Sequence, residues 1–217
     1  PIESARWRLT RPQQRLWAFS RAGVLLFDPL STKIPKYNVP DAKLVTDIAV
    51  QLNGDYLIAA INDKNKFFQL SVDQQVITSH ALPNSFTNYA LRYAATDCDG
   101  NIWFTDNTDL PRILKYDVKS KQIVFKEYKQ EETFNAKNII ISDDRSNLWL
   151  SVGQENIFQY DIRKDTFINI TKDKFITDSN SKADIKKMLI DSRGYLWITT
   201  QYDGVHVFDV QKNQFIN

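Results

Sequence analysis

One short motif recurs along the chain and is built around a tryptophan flanked by aliphatic residues. Its clear copies centre on Trp17, Trp103, Trp149 and Trp197. A degenerate copy has Leu57 in the tryptophan position, so that successive anchors are separated by 40, 46, 46 and 48 residues. A unit of that length cannot bury its apolar face alone, and neighbouring units have to stack to form a continuous core.

Each repeat contains four short segments rich in β-branched and aromatic residues and bounded by Asn, Asp, Gly, Ser and Pro. Such segments are typical of strands rather than helices. We label them A to D, with the tryptophan on B. The predicted A strands are Ala5–Thr10, Leu44–Leu52, Tyr89–Ala95, Lys137–Ile141 and Ile185–Ile190.

The six glycines support this division of the chain. The A–B turns contain Gly54, Gly100 and Gly194, and the B–C loops contain Gly23, Gly153 and Gly204, so no glycine falls inside a predicted strand. The dipeptides Asn53-Gly54 and Asp99-Gly100 predict tight hairpin turns in which both central positions need a positive φ.

Repeats of about 40–50 residues with four antiparallel strands are typical of β-propeller blades, in which strand A lines a central channel and strand D forms the rim. The predicted fold is therefore all-β. Five blades, at about 1–40, 41–84, 85–133, 134–180 and 181–217, form one propeller domain or propeller fragment. Either they close into a five-bladed ring or they belong to a larger propeller, since an open arc would expose two blade faces. The abrupt end within the last D strand favours the larger propeller.

An aromatic residue followed by aspartate closes the C strand of four repeats. These aspartates are Asp28, Asp117, Asp161 and Asp209, and the degenerate repeat has Ser71 instead. An aspartate at the start of a turn accepts hydrogen bonds from backbone N–H groups two or three residues further on. We therefore assign these carboxylates a structural role rather than a catalytic one.

Composition excludes several classes of partner. The 28 basic and 26 acidic residues give a net charge of +2, which provides no clustered basic field for nucleic acid. No apolar run approaches the ~20 residues of a membrane helix, and no signal peptide is recognised. The single cysteine, Cys98, lies in an A–B turn and has no partner for an internal disulfide.

Residues that could carry catalysis are scarce. His206 alternates within a C strand, His80 falls in a loop near the end of blade two, and neither has a partner at metal-ligand spacing. The segment 96–101 is rich in aspartate but lacks the ligand pattern of an EF-hand, so it predicts a hairpin turn. The sequence predicts no metal, no cofactor and no enzymatic activity for this segment.

The B–C and D–A loops of a propeller gather at one end of its channel. Here the B–C loops are rich in amide, hydroxyl and charged groups, which suits the hydroxyls of a polyol or sugar. A tyrosine can serve as a stacking platform, and an arginine or lysine can bind an anionic group. The candidate ligand-binding residues are Arg21, Lys64, Asn107, Gln154, Gln201 and Tyr202.

Written out in full, the repeat resembles the two-component regulator propeller repeat, whose pattern is an A strand, Asp, a Gly turn, Leu-Trp-Ile-Gly/Thr-Thr, a Gly-containing loop and Tyr/Phe-Asp. The fifth unit matches best, from Ile190 to Thr200 and then at Asp203-Gly204-Val205 and Phe208-Asp209. Units three and four match well, unit one adequately and unit two poorly. Gly-Val replaces the usual Gly-Leu after the B–C loop, at Gly23-Val24 and Gly204-Val205.

The resemblance implies a periplasmic sensor domain of a bacterial hybrid two-component system, whose parent protein carries a histidine kinase and a membrane helix. The implied ligand is an oligosaccharide or a similar small molecule, and the implied partners are further propeller blades or a second sensor protomer. No ligand residue carries over, because the repeat marks blade structure. Two alternatives stay open, a propeller enzyme of the lyase or lactonase type and a protein-interaction scaffold.

Overall fold

The computed structural model describes residues 6–10, 15–20, 23–62, 66–82, 91–105, 112–128, 136–141, 145–171 and 184–216. Within these residues the regular structure consists of 20 β-strands, which form five four-stranded antiparallel sheets. Each sheet is built from four strands that are consecutive in the chain. The predicted fold class, all-β with five β-propeller blades, is confirmed.

The strands follow the predicted A-to-D order in every blade. Blade one comprises β1 Arg6–Thr10, β2 Arg15–Ser20, β3 Gly23–Phe27 and β4 Lys36–Asn38. Blade two comprises β5 Ala42–Val50, β6 Tyr56–Asn62, β7 Lys66–Ser71 and β8 Val76–Ala81. Blade three comprises β9 Tyr93–Thr96, β10 Ile102–Thr105, β11 Arg112–Asp117 and β12 Gln122–Glu127. Blade four comprises β13 Ala136–Ile141, β14 Asn147–Val152, β15 Asn156–Asp161 and β16 Thr166–Asn169. Blade five comprises β17 Ile185–Ile190, β18 Tyr195–Thr200, β19 Val205–Asp209 and β20 Gln214–Ile216.

Two sequence-based placements are wrong. Gly23 is the first residue of β3 and pairs with Ser20 and Asn38. A Cβ at this position would lie 3.1 Å from the Tyr37 carbonyl oxygen, so the close approach of the two strands favours glycine here. His80 lies within β8 rather than in a loop, opposite Phe67 of β7. The two rings stack with centroids 4.9 Å apart, so the histidine forms part of the sheet packing.

The A–B turns use a different geometry from the one that the dipeptides predict. Gly54 and Gly100 have φ values of 86° and 84°, but neither Asn53 nor Asp99 has a positive φ. The Gly54 N–H donates to the Gln51 carbonyl oxygen, and the Gln51 N–H donates to that of Asp55. These bonds are those of a type I turn followed by a glycine bulge, which needs one positive φ rather than two.

The C–D turns contain the recurring aspartates, and the predicted structural role is confirmed. Asp161 Oδ1 accepts the N–H groups of Arg163 and Lys164, both at 3.0 Å. Asp209 does the same with Gln211 and Lys212. Equivalent bonds from backbone N–H groups reach Asp28 and Asp117. In all four carboxyl groups these bonds are the main reason why the pKa lies below its ordinary value.

The chain forms two compact units. The first contains the strands of blades one and two and most of blade three, and its main core is the contact between the first two blades. Trp17, fully buried, packs against Tyr56 of blade two with ring centroids 4.5 Å apart. Phe67 continues this packing towards blade three, since its ring lies 5.6 Å from Phe104 and 5.0 Å from Tyr116.

A buried polar network joins consecutive A strands in the first unit. Thr46 Oγ1 donates to the Leu91 carbonyl oxygen at 2.8 Å, and Asp47 Oδ2 accepts the Ala94 N–H at 2.9 Å. Asp47 is only 2% exposed, and its other carboxylate oxygen lies 3.8 Å from the Arg8 guanidinium. Because Asp47 follows an irregularity in the pairing of β5 with β6, its side chain is turned towards the neighbouring blades.

The second unit contains blades four and five. Its core places the tryptophan-bearing face of blade four against the opposite face of blade five. Trp149 is 1% exposed and meets Phe208 edge to face, with centroids 6.2 Å apart. Ile157 and Ile170 join it from blade four, and the blade-five residues of this cluster are Ile185, Met188, Leu196, Ile198 and Phe208. The proposed role of the repeat tryptophan, to wedge neighbouring sheets together, is confirmed here.

The lowered pKa values of the turn aspartates predict loss of stability in acid. A carboxyl group whose pKa is lowered by folding contributes stability above its ordinary value, near 3.8, and loses it as the pH falls through the lowered pKa. We expect the Tm to decrease progressively below about pH 4.

Asp161→Ala should lower the Tm at pH 7 by about 2–4 °C, because two N–H groups lose their acceptor. Its Tm should then depend less on pH in the acid range.

The check is a series of thermal melts between pH 2.5 and 7 on the wild type, on Asp161→Ala and on Asp73→Ala. Asp73 is an exposed aspartate in the C–D turn of blade two and serves as the matched control. An acid dependence of the Tm in Asp161→Ala equal to that of the wild type would contradict the assignment.

Candidate functional site

The B–C loops of blades four and five meet at the start of strand β17, within the second unit. The Ile185 N–H donates to the Gln154 carbonyl oxygen at 2.9 Å, and the Gln201 N–H donates to the Asp184 carbonyl oxygen at 3.1 Å. Residues 184 and 185 are thus held between the two loops. Asp184 has a φ of 33°, a conformation that is unfavourable for a residue with a side chain. These contacts define the candidate site, which we call the blade-five loop site.

The loop of blade five presents an aromatic ring to solvent. Thr200 Oγ1 accepts the Asp203 N–H at 3.0 Å, and the Thr200 N–H donates to the Gly204 carbonyl oxygen, which closes a compact loop. Tyr202, at the tip of this loop, is 69% exposed. Its hydroxyl accepts a hydrogen bond of 2.8 Å from Gln201 Nε2. An aromatic ring and a primary amide are therefore neighbours at the surface of this loop.

Two further side-chain pairs belong to the segments of this site, one at the start of β17 and one at the end of the blade-five B–C loop. Lys186 Nζ lies 2.6 Å from Asp184 Oδ2, and about half of the lysine side chain is exposed. His206 Nε2 lies 3.0 Å from Asp203 Oδ2. The site therefore offers a cation, carboxylates and an imidazole beside the polar and aromatic groups, a mixture suited to a polyhydroxylated ligand.

The predicted candidates are only partly brought together. Exposed Gln154, Gln201 and Tyr202 belong to the two loops that meet at Asp184. The other three candidates, Arg21, Lys64 and Asn107, lie outside the described residues, as does the predicted D–A loop over 172–183.

Sequence reasoning missed Asp184 and Lys186. The available signal was the Lys186-Lys187 pair near the start of the last A strand. In a propeller blade the A strand starts at the same end as the B–C loop, so charged residues there lie close to the loop. The sequence places Asp203 only within a loop motif, and it does not reveal the contact with His206. That contact spans three residues across a B–C loop, so it depends on the loop conformation rather than on strand periodicity.

His80 and Cys98, the other two residues that the sequence singles out, lie outside the blade-five loop site. Burial lowers the pKa of His80, and the positive charge of Lys121 lowers it further, so this imidazole is neutral near pH 7. Cys98 is exposed in its A–B turn, as predicted, and its N–H donates to the Arg145 carbonyl oxygen.

Among the described residues, no group of three or more His, Cys, Asp or Glu side chains is placed to hold a metal ion. In the same part of the chain, no helix has the length and apolar character needed to cross a membrane.

A shallow groove of about 260 Å³ lies in the first unit, away from the blade-five loop site. It is lined by Pro35, Lys36, Tyr37, Asn38, Gln75 and Ile77. These residues belong to the D strand of blade one, the C–D turn of blade two and strand β8, not to the loops that join B to C. We therefore place the candidate site at the blade-five loops, where polar, charged and aromatic side chains converge.

Solved structures share this fold at low sequence identity. Virginiamycin B lyase from Staphylococcus aureus superposes with a TM-score of 0.70 and 17% identity, over 93% of this chain and 65% of that chain. An auxiliary nutrient-binding protein from Bacteroides thetaiotaomicron gives a TM-score of 0.69 and 11% identity, over 94% and 54%. The extracellular domain of a B. thetaiotaomicron protein described as a one-component system gives 0.68 and 15%, over 97% and 30%.

These similarities define the fold and leave several activities open. The chain spans less than two thirds of the length of each of the three proteins. One of them is a lyase, one is a nutrient-binding protein and one is the extracellular domain of a one-component system. No protein-family model matches the sequence. No curated protein matches it either.

Proposed function

We propose that this chain is the ligand-sensing propeller module of a signal-transduction sensor and that it binds an oligosaccharide. The observation that carries the proposal is the blade-five loop site, where exposed Tyr202 is hydrogen-bonded to Gln201 and the Gln201 backbone is bonded to Asp184, which pairs with Lys186. An exposed aromatic face can stack on a pyranose ring, and the surrounding amide and charged groups can exchange hydrogen bonds with its hydroxyls.

The repeat pattern supports a two-component system as the setting. The fifth unit, which carries the site, is also the unit that best resembles the two-component regulator propeller repeat, from Ile190 to Asp209. Similarity in fold to a nutrient-binding protein and to the extracellular domain of a one-component system supports a module exposed to external ligands. We place it in the periplasm, as the sensing part of an inner-membrane protein whose histidine kinase lies outside this segment.

Loss of the tyrosine ring should weaken binding more than loss of its hydroxyl. Tyr202→Ala should lower the affinity for an oligosaccharide at least tenfold, equivalent to about 1.4 kcal/mol, because the stacking surface disappears. Tyr202→Phe keeps the ring and removes the bond with Gln201, so a smaller loss is expected. Isothermal titration calorimetry against a panel of neutral and acidic oligosaccharides measures both effects.

The control for this experiment is Gln211→Ala, an exposed position in the C–D turn of the same blade. It should bind like the wild type, since that turn lies at the other end of the blade from the B–C loop. Equal affinities for Tyr202→Ala and the wild type would contradict the site. A panel with no binding at all would contradict the proposed ligand class.

A lyase-type enzyme is the second candidate, and one contact favours it. The His206–Asp203 pair is a candidate for proton transfer, since an imidazole lies 3.0 Å from a carboxylate oxygen in an accessible loop. The fold is also that of an enzyme, virginiamycin B lyase. Mass spectrometry of ligands after incubation distinguishes the two candidates. Products that His206→Ala fails to form would favour the enzyme, and unaltered bound ligand would favour the sensor.

A further inference from the structure

One of the two histidines of the chain lies in the packed contact between blades two and three. His80 stands in the D strand β8 opposite Phe67, and the two rings stack with centroids 4.9 Å apart and an interplanar angle of 11°. The Phe67 ring in turn lies 5.6 Å from Phe104 and 5.0 Å from Tyr116, both in blade three. His80 is therefore part of the aromatic cluster that joins the two blades.

One nitrogen of this imidazole is closed off from solvent. His80 Nε2 is buried and has no hydrogen-bond partner within the part of the chain that the structure describes. A protonated imidazole carries an N–H at both ring nitrogens. An N–H at Nε2 would be buried without an acceptor, and such a donor is costly, the more so when it is charged. The folded protein should therefore contain His80 as a neutral ring whose proton is on Nδ1.

The groups around the imidazole also oppose its protonation. Burial lowers the pKa of His80, and the positive charge of Lys121, in the C–D turn of blade three, lowers it further. Tyr116 is the titratable group of the aromatic cluster, and burial raises its pKa, so this phenol stays uncharged near neutral pH. From its own blade, His80 faces the uncharged Phe67 ring. A positive charge on His80 would thus meet an apolar cluster and a second cation.

We propose that His80 is a proton-sensitive contact between blades two and three, which packs fully only while the imidazole is neutral. The unfolded chain takes up this proton near pH 6.5, the ordinary value for histidine, whereas the folded protein resists it. The contribution of His80 to stability is therefore complete above about pH 6.5 and is lost as the pH falls below that value, until the folded protein is protonated as well. This window lies above the one in which the turn aspartates titrate, so the two effects can be separated.

Nuclear magnetic resonance of the full chain, labelled with 15N-histidine, tests the state of the ring directly. Because the chain has two histidines, the ring spectrum is simple, and the variant His206→Phe assigns its signals. At pH 7 the His80 ring should carry its proton on Nδ1, and its pKa should lie below the ordinary 6.5. A ring that is protonated at Nε2 at pH 7, or a His80 pKa at or above 6.5, would overturn the proposal.

Thermal melts between pH 5 and 7.5 measure the consequence for stability. The Tm of the wild type should fall by about 2–4 °C from pH 7 to pH 5. His80→Phe keeps an aromatic ring against Phe67 and cannot take up a proton, so its Tm should change little over this range.

His206→Phe is the matched control, since it makes the same change at the other histidine, and it should keep the decrease of the wild type. A constant Tm in the wild type, or an undiminished decrease in His80→Phe, would contradict the proposal. So would a decrease that disappears in His206→Phe, because it would then belong to that histidine. The ring spectrum of the wild type decides the question even if His80→Phe does not fold.

Discussion

Trp149→Ala should lower the free energy of unfolding by about 3–5 kcal/mol, a large part of the 5–15 kcal/mol that stabilises a typical domain. The indole ring is 1% exposed and fills the space between blades four and five, so its removal leaves a cavity that rigid sheets cannot close. We expect a decrease in Tm of roughly 6–20 °C, and aggregation on heating, because the faces of both sheets become accessible.

Trp197→Ala is the matched control for this substitution, since it makes the same chemical change in the same repeat position. The Trp197 ring is half-buried and donates its indole N–H to Asp191, and a loss well below that of Trp149→Ala is expected. Thermal melts and chemical denaturation of both variants measure the difference. Equal losses would show that burial between blades is not the source of the stability.

Asp47→Ala should destabilise the first unit through lost polar contacts, with a decrease in the free energy of unfolding of about 2–3 kcal/mol. It leaves the Ala94 N–H without its acceptor in a fully buried site, and it removes the ion contact with Arg8. Because the Arg8 side chain is 32% exposed, solvent can compensate part of the lost contact. The expected decrease in Tm is roughly 5–10 °C.

Asp47→Asn separates the two contributions, since its amide oxygen can still accept the Ala94 N–H whereas its charge is lost. If the hydrogen bond dominates, Asp47→Asn should retain more than half of the stability that Asp47→Ala loses. If Asp47→Asn is as unstable as Asp47→Ala, the ion contact with Arg8 dominates instead. Chemical denaturation at two salt concentrations gives an independent check on the ion contact.

The blade framework could be predicted from the sequence because it depends on local patterns. The tryptophan anchors fix the B strands, and the aspartates at 28, 117, 161 and 209 fix the C–D turns through bonds that span two or three residues. The turn at Asn53-Gly54 shows the limit of this approach. Asn-Gly suits a turn with two positive φ values, but a longer turn with a glycine bulge satisfies the same sequence.

The candidate site was less predictable because it depends on contacts between segments that are distant in sequence. Gln154 and Ile185 lie about 30 residues apart, and the hydrogen bond between their backbones forms only after blades four and five have packed together. Loop composition is enough to propose Gln201 and Tyr202 as candidates, since an exposed aromatic residue in a polar loop is a local feature. Loop composition does not point to Lys186, which lies on strand β17. Its place in the candidate site depends on its ion pair with Asp184, whose backbone contacts the blade-five B–C loop.

Every strand in the described residues pairs with its immediate neighbours in the chain, in all five sheets. A coding segment for one whole blade could therefore be duplicated or deleted without re-pairing any strand that remains. Only the side chains at the two new junctions would have to adapt, because hydrogen bonding within each sheet is self-contained. The number of blades is thus a trait that can change in a single genetic event, whereas the register within a blade is maintained by its own turns.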